Sequence, residues 1–349
     1  MHRVIAVVAA LLPLSLVLSA MGGQERPLLD ELRVVEDREV DFSPNHAIGL
    51  SPDGRWLAVW HRGDDANAIC IYDAATLTES GCVPIETERL DLSTAVWSPD
   101  STRLAVTEDA TTFVIDSDLW VVDVGAGMVT NLTDDGIAGP MATDRDRGQV
   151  DLAPAWSPDG SALAFVRSSG KETALYRIPV DGGEARQIAI VDPERAFLVS
   201  DGTAWLPNDT LLSSVAAPAA HPGDGIWAVP VGGGEPRRLI GPDPDLGPPL
   251  LIAVSATGFG LLSYPQRPVV AEGQPGPEVA LARLATGEVD LIEASDAFRD
   301  GALKPWATAA AFPPDGERLL ISYSTGGGGL LVARDLTTGE ERMVQERGL

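Results

Sequence analysis

The stretch DLAPAWSPDGSALAFVRSSGKETALYRIPVDGGEARQIA, Asp151 to Ala189, reads as four short strands joined by tight turns. A first apolar strand ends at Trp156, and Ser157-Pro158-Asp159-Gly160 turns the chain back. Proline presets φ at the second turn position, aspartate tolerates the bridge region at the third, and glycine accepts the exit geometry. Leu163 to Arg167 then forms a second strand, Leu175 to Val180 a third, and Gly182-Gly183 the turn into a fourth. The rest of the chain varies this unit.

Self-comparison finds the unit six times. The strand–turn junctions are Leu50-Ser-Pro-Asp-Gly54, Trp97-Ser-Pro-Asp-Ser101, Trp156-Ser-Pro-Asp-Gly160, Trp205-Leu-Pro-Asn-Asp209, Val254-Ser-Ala-Thr-Gly258 and Phe312-Pro-Pro-Asp-Gly316. Counted at the proline position, with Ala256 standing in, the spacings are 47, 59, 49, 49 and 58 residues. That is the length of a four-stranded propeller blade plus loops. The second half of the unit repeats as well: Ile69 to Asp73, Leu119 to Asp123, Leu175 to Pro179, Ile226 to Pro230, Val279 to Arg283 and Leu330 to Arg334, most leading into glycine turns. No part of these repeats has a helical period. The expected fold is all-β, a six-bladed β-propeller of four-stranded antiparallel blades over residues 46–349.

Trp-Ser-Pro-Asp-Gly, an apolar strand, Leu-Tyr/Trp-x-Val and Asp-Gly-Gly-Glu together resemble the PD40, or TolB-like, WD40-related propeller repeat. The resemblance covers about residues 46–346, best in units 2 and 3 and least in unit 5. It implies a six-bladed ring and a largely interaction-type role. TolB-type proteins carry an α/β domain before the propeller; here some two dozen residues separate the N-terminal segment from the first unit, so the Tol-system role is not carried over. The last unit runs to the final residue, Leu349, and no hydrolase domain of the prolyl-oligopeptidase kind is expected.

Residues 1–22 have the layout of a secretory signal peptide: basic His2 and Arg3, an apolar run from Val4 to Ser19, then small Ala20 and Gly22. An uncleaved N-terminal anchor is the alternative. Residues 23–45 read as a linker, with Leu32 to Val40 able to add a strand to the ring. Export is expected, to a periplasmic or extracellular space. Cys70 and Cys82, on the third and fourth strands of unit 1, fit that setting. Opposed strand positions can reach disulfide geometry, worth about 3 kcal/mol for so short a loop. Two buried free thiols are the alternative.

The chain carries 51 acidic and 25 basic residues, a net charge of −26, and only Lys171 and Lys304 as lysines. Such a surface repels nucleic acid and anionic lipid. No Gly-x-Ser-x-Gly elbow, His-Glu-x-x-His or Cys-x-x-Cys occurs, and no two of the four histidines have metal-ligand spacing. The turn aspartates Asp53, Asp100, Asp159 and Asp315 are expected to satisfy local backbone N–H groups. Trp97, Trp156, Trp205 and Phe312 are expected to fill space between blades.

Binding is therefore expected on the face opposite the Ser-Pro-Asp-Gly turns, where loops vary against a constant scaffold. The candidates are His61, Arg62, Asp64, Asp65, Glu108, Asp109, Asp144, Arg145, Asp146, Arg147, Arg167, Lys171, Arg195, His221, Arg267, Arg299, Asp300 and Lys304. Asp134, Asp135 and Asp151 belong to the richest loop, Thr133 to Asp151. The expected partner is a protein, peptide or cell-envelope component, bound by a monomer without catalysis, catalytic residue or cofactor. Calcium is the ion these carboxylates would suit. The alternative is a channel-site, metal-dependent propeller enzyme of lactonase or lyase type.

Overall fold

The computed structural model describes residues 46–62, 67–87, 90–108, 116–137, 149–169, 172–192, 202–215, 223–255, 257–264, 278–292, 306–312, 317–324 and 328–348. Among the described residues every regular element is a strand. Blade 1 holds β1 (His46–Leu50), β2 (Trp56–Arg62), β3 (Asn67–Asp73) and β4 (Glu79–Ile85). Blade 2 holds β5 (Leu90–Trp97), β6 (Arg103–Glu108), β7 (Leu119–Asp123) and β8 (Met128–Asn131). Blade 3 holds β9 (Gln149–Trp156), β10 (Ala162–Ser169), β11 (Thr173–Pro179) and β12 (Arg186–Asp192). Blade 4 holds β13 (Thr203–Leu206), β14 (Thr210–Val215), β15 (Gly225–Pro230) and β16 (Arg237–Ile240). Blade 5 holds β17 (Leu250–Val254), β18 (Phe259–Tyr264), β19 (Glu278–Arg283) and β20 (Glu288–Leu291). Blade 6 holds β21 (Trp306–Ala311), β22 (Arg318–Ser324), β23 (Gly328–Asp335) and β24 (Glu341–Gly348).

Each blade is a four-stranded antiparallel sheet whose spatial order is its chain order. The chain is a six-bladed β-propeller. Every blade finds its four strands locally; Leu32 to Val40, the possible extra strand, lies outside the described residues, as do residues 1–22. No helix among the described residues is long and apolar enough to cross a membrane. β1, β5, β9, β13 and β17 are successive neighbours, so the first strands of blades 1 to 5 lie innermost.

The repeated turn works through one hydrogen-bond pattern. In blades 1, 2 and 3 the hydroxyls of Ser51, Ser98 and Ser157 each donate to the aspartate two residues on, at 2.6 Å. The same oxygens accept the backbone N–H of Trp56, Arg103 and Ala162 at 2.9 Å. The aspartates also accept the N–H of Arg55, Thr102 and Ser161, as the sequence predicts. Gly54 and Gly160 exit at φ 71°, in the left-handed region that glycine enters without a Cβ penalty. Ser101 takes the same conformation at φ 62° in blade 2. In blade 5, Thr257 replaces the aspartate, yet Ser255 still contacts its hydroxyl and accepts the Phe259 N–H.

Apolar layers between neighbouring blades hold the ring. Leu104 and Val106 meet Ile69 and Ile71 across the first seam, and Leu119 meets Phe165 and Ile178 across the second. Burying one such side chain contributes about 1.5–3 kcal/mol. The recurrent tryptophans lock these layers in register. Trp97 Nε1 donates to the Gly49 carbonyl of blade 1 at 3.2 Å, and Trp156 Nε1 to the Val96 carbonyl of blade 2 at 3.0 Å. Trp205 departs from this pattern: its Nε1 lies 3.4 Å from Asp209 Oδ1 in its own turn, and Arg177 stacks on its ring.

The Cys70–Cys82 disulfide is formed. It ties β4, the outermost strand of blade 1, to β3 at directly opposed positions. Cys70 is buried and Cys82 exposed.

Candidate functional site

With the first-to-second and third-to-fourth strand turns at one end of a four-stranded antiparallel blade, the loops between second and third strands gather at the other end. The connections between blades gather there too. At that loop face, blades 2 and 3 are joined by more than apolar packing. Residues Asp116 to Asp118, ahead of β7, run alongside the start of β9, with Ser117 and Val150 in a parallel bridge. The Ser117 N–H donates to the Gln149 carbonyl at 3.0 Å, and the Asp151 N–H donates to the Ser117 carbonyl at 2.9 Å. The Ser117 hydroxyl lies 3.1 Å from both the Glu108 and Asp151 carbonyl oxygens, its single proton serving one at a time.

Acidic side chains surround this bridge. Asp116, Asp118 and Asp151 are 2%, 7% and 1% exposed, and Glu108 is half-buried. Asp116 accepts the Gln149 N–H at 3.2 Å. Asp118 accepts from Asn131 Nδ2 at 2.6 Å and from the Thr133 hydroxyl at 3.3 Å. Asp151 accepts a two-pronged bond from Arg167, Nε at 2.7 Å and Nη2 at 2.6 Å. The Arg167 guanidinium also lies over the rings of Phe165 and Tyr176, at 5.3 and 5.1 Å. Exposed Asp134 and Asp135 complete the rim.

Burial works against charge here. Loss of water pushes the Asp116 carboxyl up to about 7, with Asp118, Asp135 and Asp151 adding repulsion. Asp118 and Glu108 rise above the usual carboxylate range for the same first reason. For Asp151 burial also pulls upward, and the Arg167 fork opposes it. Two N–H donors aimed at two carboxylate oxygens describe an ionised pair, and the Arg167 guanidinium is held above its ordinary value by that bond despite its own burial.

Of the sequence-derived candidates, Glu108 and Arg167 meet at this rim, linked through Ser117 and Asp151. His61 sits apart in blade 1: its Nε2 is 3.0 Å from the Tyr72 hydroxyl, which donates to Glu79 at 3.2 Å, so His61 serves as the donor there. Arg62 closes β2, and its side chain lies outside the described residues. Asp64, Asp65, Asp109, Asp144, Arg145, Asp146, Arg147, Lys171, Arg195, His221, Arg267, Arg299, Asp300 and Lys304 also lie outside them.

Asp116 and Asp118 were not among the sequence-derived candidates. Aligning the six third strands by register exposes the signal, since none of the other five units has acids at both equivalent positions.

The innermost strands have their own regularity. Register shifts interrupt β1 at Ile48, β9 at Ala153-Pro154, β17 at Ile252 and β21 at Thr308. Such bulges bend a strand and re-aim its side chains. The inserted residues carry no charge, and Ala153 is held at φ 50°, a conformation costly for a residue with a Cβ. Among the described residues, Cys70, Glu79 and Cys82 are the set that brings three potential metal-ligand atoms within 4.8 Å of one another. Both sulfurs are spent in the disulfide.

Residues 62–194 match the family described as the dipeptidyl peptidase IV (DPP IV) N-terminal region. Comparison with the curated proteins finds no match by sequence. Among solved structures, prolyl endopeptidases align over 86% of this chain and 42% of theirs, at 14% identity and a TM-score of 0.57. An oligogalacturonate lyase in complex with manganese aligns over 85% of this chain and 75% of its own, at 14% identity and a TM-score of 0.56. TolB from Acinetobacter baumannii aligns over 87% and 64%, at 16% identity and a TM-score of 0.49. The likenesses to the prolyl endopeptidases and the lyase are of fold. The chain spans under two thirds of the TolB structure and about two fifths of the prolyl endopeptidases.

Proposed function

We propose that this chain is an exported, non-catalytic propeller of the PD40 repeat type. Its loop face over blades 2 and 3 holds a basic segment of a protein or peptide, or an amine-bearing envelope component. One observation carries the reading: Glu108, Asp116, Asp118, Asp134, Asp135 and Asp151 converge on one rim, and Arg167 in their midst is already neutralised by Asp151. A cationic group docking there meets exposed acids at the edge and half-desolvated ones behind, an arrangement that favours on-rate and selectivity. The disulfide fits an oxidising compartment. The net charge of −26 opposes nucleic acid.

The test uses an oligoarginine peptide titrated calorimetrically at low and moderate salt. Glu108→Gln with Asp135→Asn is expected to weaken binding about tenfold, roughly 1.4 kcal/mol. Asp181→Asn with Glu184→Gln, on the turn face, removes equal charge and is expected to change little. Equal losses from both pairs would reduce the rim to generic charge attraction and overturn the reading.

A second, enzymatic reading is favoured by Asp116, whose carboxyl near 7 suits a general acid or base at neutral pH. A divalent ion such as calcium or manganese would serve it. Melting with and without chelator and added ion checks this: stabilisation by the ion supports the enzyme reading, and an unchanged transition removes its metal-dependent form.

A further inference from the structure

The bridge between blades 2 and 3 joins two blades through backbone hydrogen bonds, and it is threaded through buried carboxyls. Its central residue, Ser117, is fully buried and touches both blades at once: Glu108 behind it, and Gln149 and Asp151 ahead. Asp116, next in the chain, takes the Gln149 N–H one residue along the same bridge. We infer that residues 116–118 form a proton-operated latch between blades 2 and 3, fastened while Asp116 is a neutral acid and loosened when Asp116 ionises.

Among the described residues, the charged groups acting on Asp116 are Asp118 on its own segment, Asp135 between β8 and β9, and Asp151 on β9. One step further out, Glu108 and Asp134 act on or with Asp118, and Arg167 acts on Asp151. Among the described residues the one cation of this cluster, Arg167, is committed to Asp151 by a two-pronged bond. A neutral Asp116 accepts the Gln149 N–H and adds no charge. An ionised Asp116 stands beside Asp118, Asp151 and Asp135, with the Gln149 N–H at 3.2 Å as its hydrogen-bond donor among the described residues. Parting residues 116–118 from β9 lets water reach the carboxylate and separates it from Asp151. Opening is therefore coupled to proton loss.

The sign follows from the two states. In the open bridge Asp116 titrates near its ordinary 3.8, and in the closed bridge near 7. Between those values the closed form holds the extra proton. Each unit of rising pH across that window favours opening by about tenfold, and above it the effect levels off. The inference concerns the scaffold itself and holds whether or not the rim binds a basic ligand.

Hydrogen exchange of the full chain tests it, read at the Ser117 and Asp151 amides, whose acceptors lie across the seam. After correction for intrinsic exchange, opening of these two amides is expected to rise from about pH 4 to about pH 7 and then level off. Core amides of β10 should not follow. Asp116→Asn, neutral at every pH, is expected to flatten the profile. It should also melt several degrees above the parent near pH 7.5 and together with it near pH 4.5. Asp135→Asn, an exposed change, lowers the closed-state value alone, so the rise is expected to begin at the same pH and level off at a lower one. A flat parent profile, or an Asp116→Asn chain with an undiminished rise, would overturn the latch. The parent profile decides alone if the Asp116→Asn chain does not fold.

Discussion

Blades 2 and 3 carry aspartates at both ends, and the two ends treat them in opposite ways. At the turn face, Asp100 and Asp159 are exposed and held below the ordinary range, Asp159 at about 2. The first cause is the serine hydroxyl two residues back, joined by backbone and hydroxyl donors two residues on. At the loop face, one strand length of about 20 Å away, Asp116, Asp118 and Glu108 are pushed up, first by loss of water. Their donors come from distant parts of the chain: Gln149 is 33 residues from Asp116, and Asn131 is 13 from Asp118. A local turn delivers its donors together with the acid. A seam between blades buries the acid first and leaves the donors to long-range geometry. The first arrangement makes scaffold, and the second leaves a carboxyl whose protonation can change near neutral pH.

The largest test of that contrast removes the one rim acid that found a strong partner. Asp151→Ala strands the Arg167 guanidinium, whose side chain is only 16% exposed. Breaking a buried pair on one side costs about 3–5 kcal/mol. Denaturant unfolding should show a loss of that size, and Asp151→Leu with Arg167→Met should recover most of it. A loss below ~1 kcal/mol would mean the fork is solvated and the rim less buried than its geometry states.

Next in size is the pH dependence of stability. Turn carboxylates have lowered values, so their contribution is complete above about 4 and lost as pH falls toward about 2. Asp116, Asp118 and Glu108 have raised values, so their contribution is complete below about 4 and lost as pH rises, for Asp116 toward about 7. Thermal melting should therefore peak at mildly acidic pH, between the two windows. A plateau at neutral pH, with no decline from about 5 to 7, would show that the rim acids do not titrate as a buried group.

The same contrast explains what was legible in the sequence. Turn chemistry is local: Ser-Pro-Asp-Gly states its own hydrogen bonds within six residues, and six strand–turn units, some degraded, state the fold. Cys70 and Cys82 were readable for a similar reason, because a hairpin fixes which residues oppose each other. The rim was not local. Glu108 and Arg167 were visible as charges on the loop face, but their connection runs through Ser117 and Asp151, 34 residues apart. Asp116 and Asp118 stand immediately before a good strand and read as its flank until the six third strands are aligned by register. Long-range pairing converts an ordinary flank into a buried cluster.

A smaller effect is expected inside the bridge. Ser117→Ala deletes the hydroxyl that serves the Glu108 and Asp151 carbonyls and keeps the backbone path. A loss of about 1 kcal/mol is expected in denaturant unfolding. Its exchange signature is confined to the seam, with faster opening at residues 117 and 151. Uniform acceleration across blades 2 and 3 would place the hydroxyl in the general core instead.

The smallest effect separates the two ends most cleanly. Asp100→Ala removes an exposed carboxylate that accepts from the buried Ser98 hydroxyl and from the N–H and hydroxyl of exposed Thr102. Water replaces much of what is lost, so the cost is expected to stay at about 0.5–1 kcal/mol near neutral pH. It should shrink as pH falls below the ordinary carboxylate range and the parent carboxylate itself becomes protonated. Asp116→Asn at the other end is predicted to do the reverse, matching the parent in acid and exceeding it near neutrality. If both substitutions track pH in the same direction, the two faces do not differ in how they hold their acids. The distinction between scaffold and site then has no physical basis in this ring.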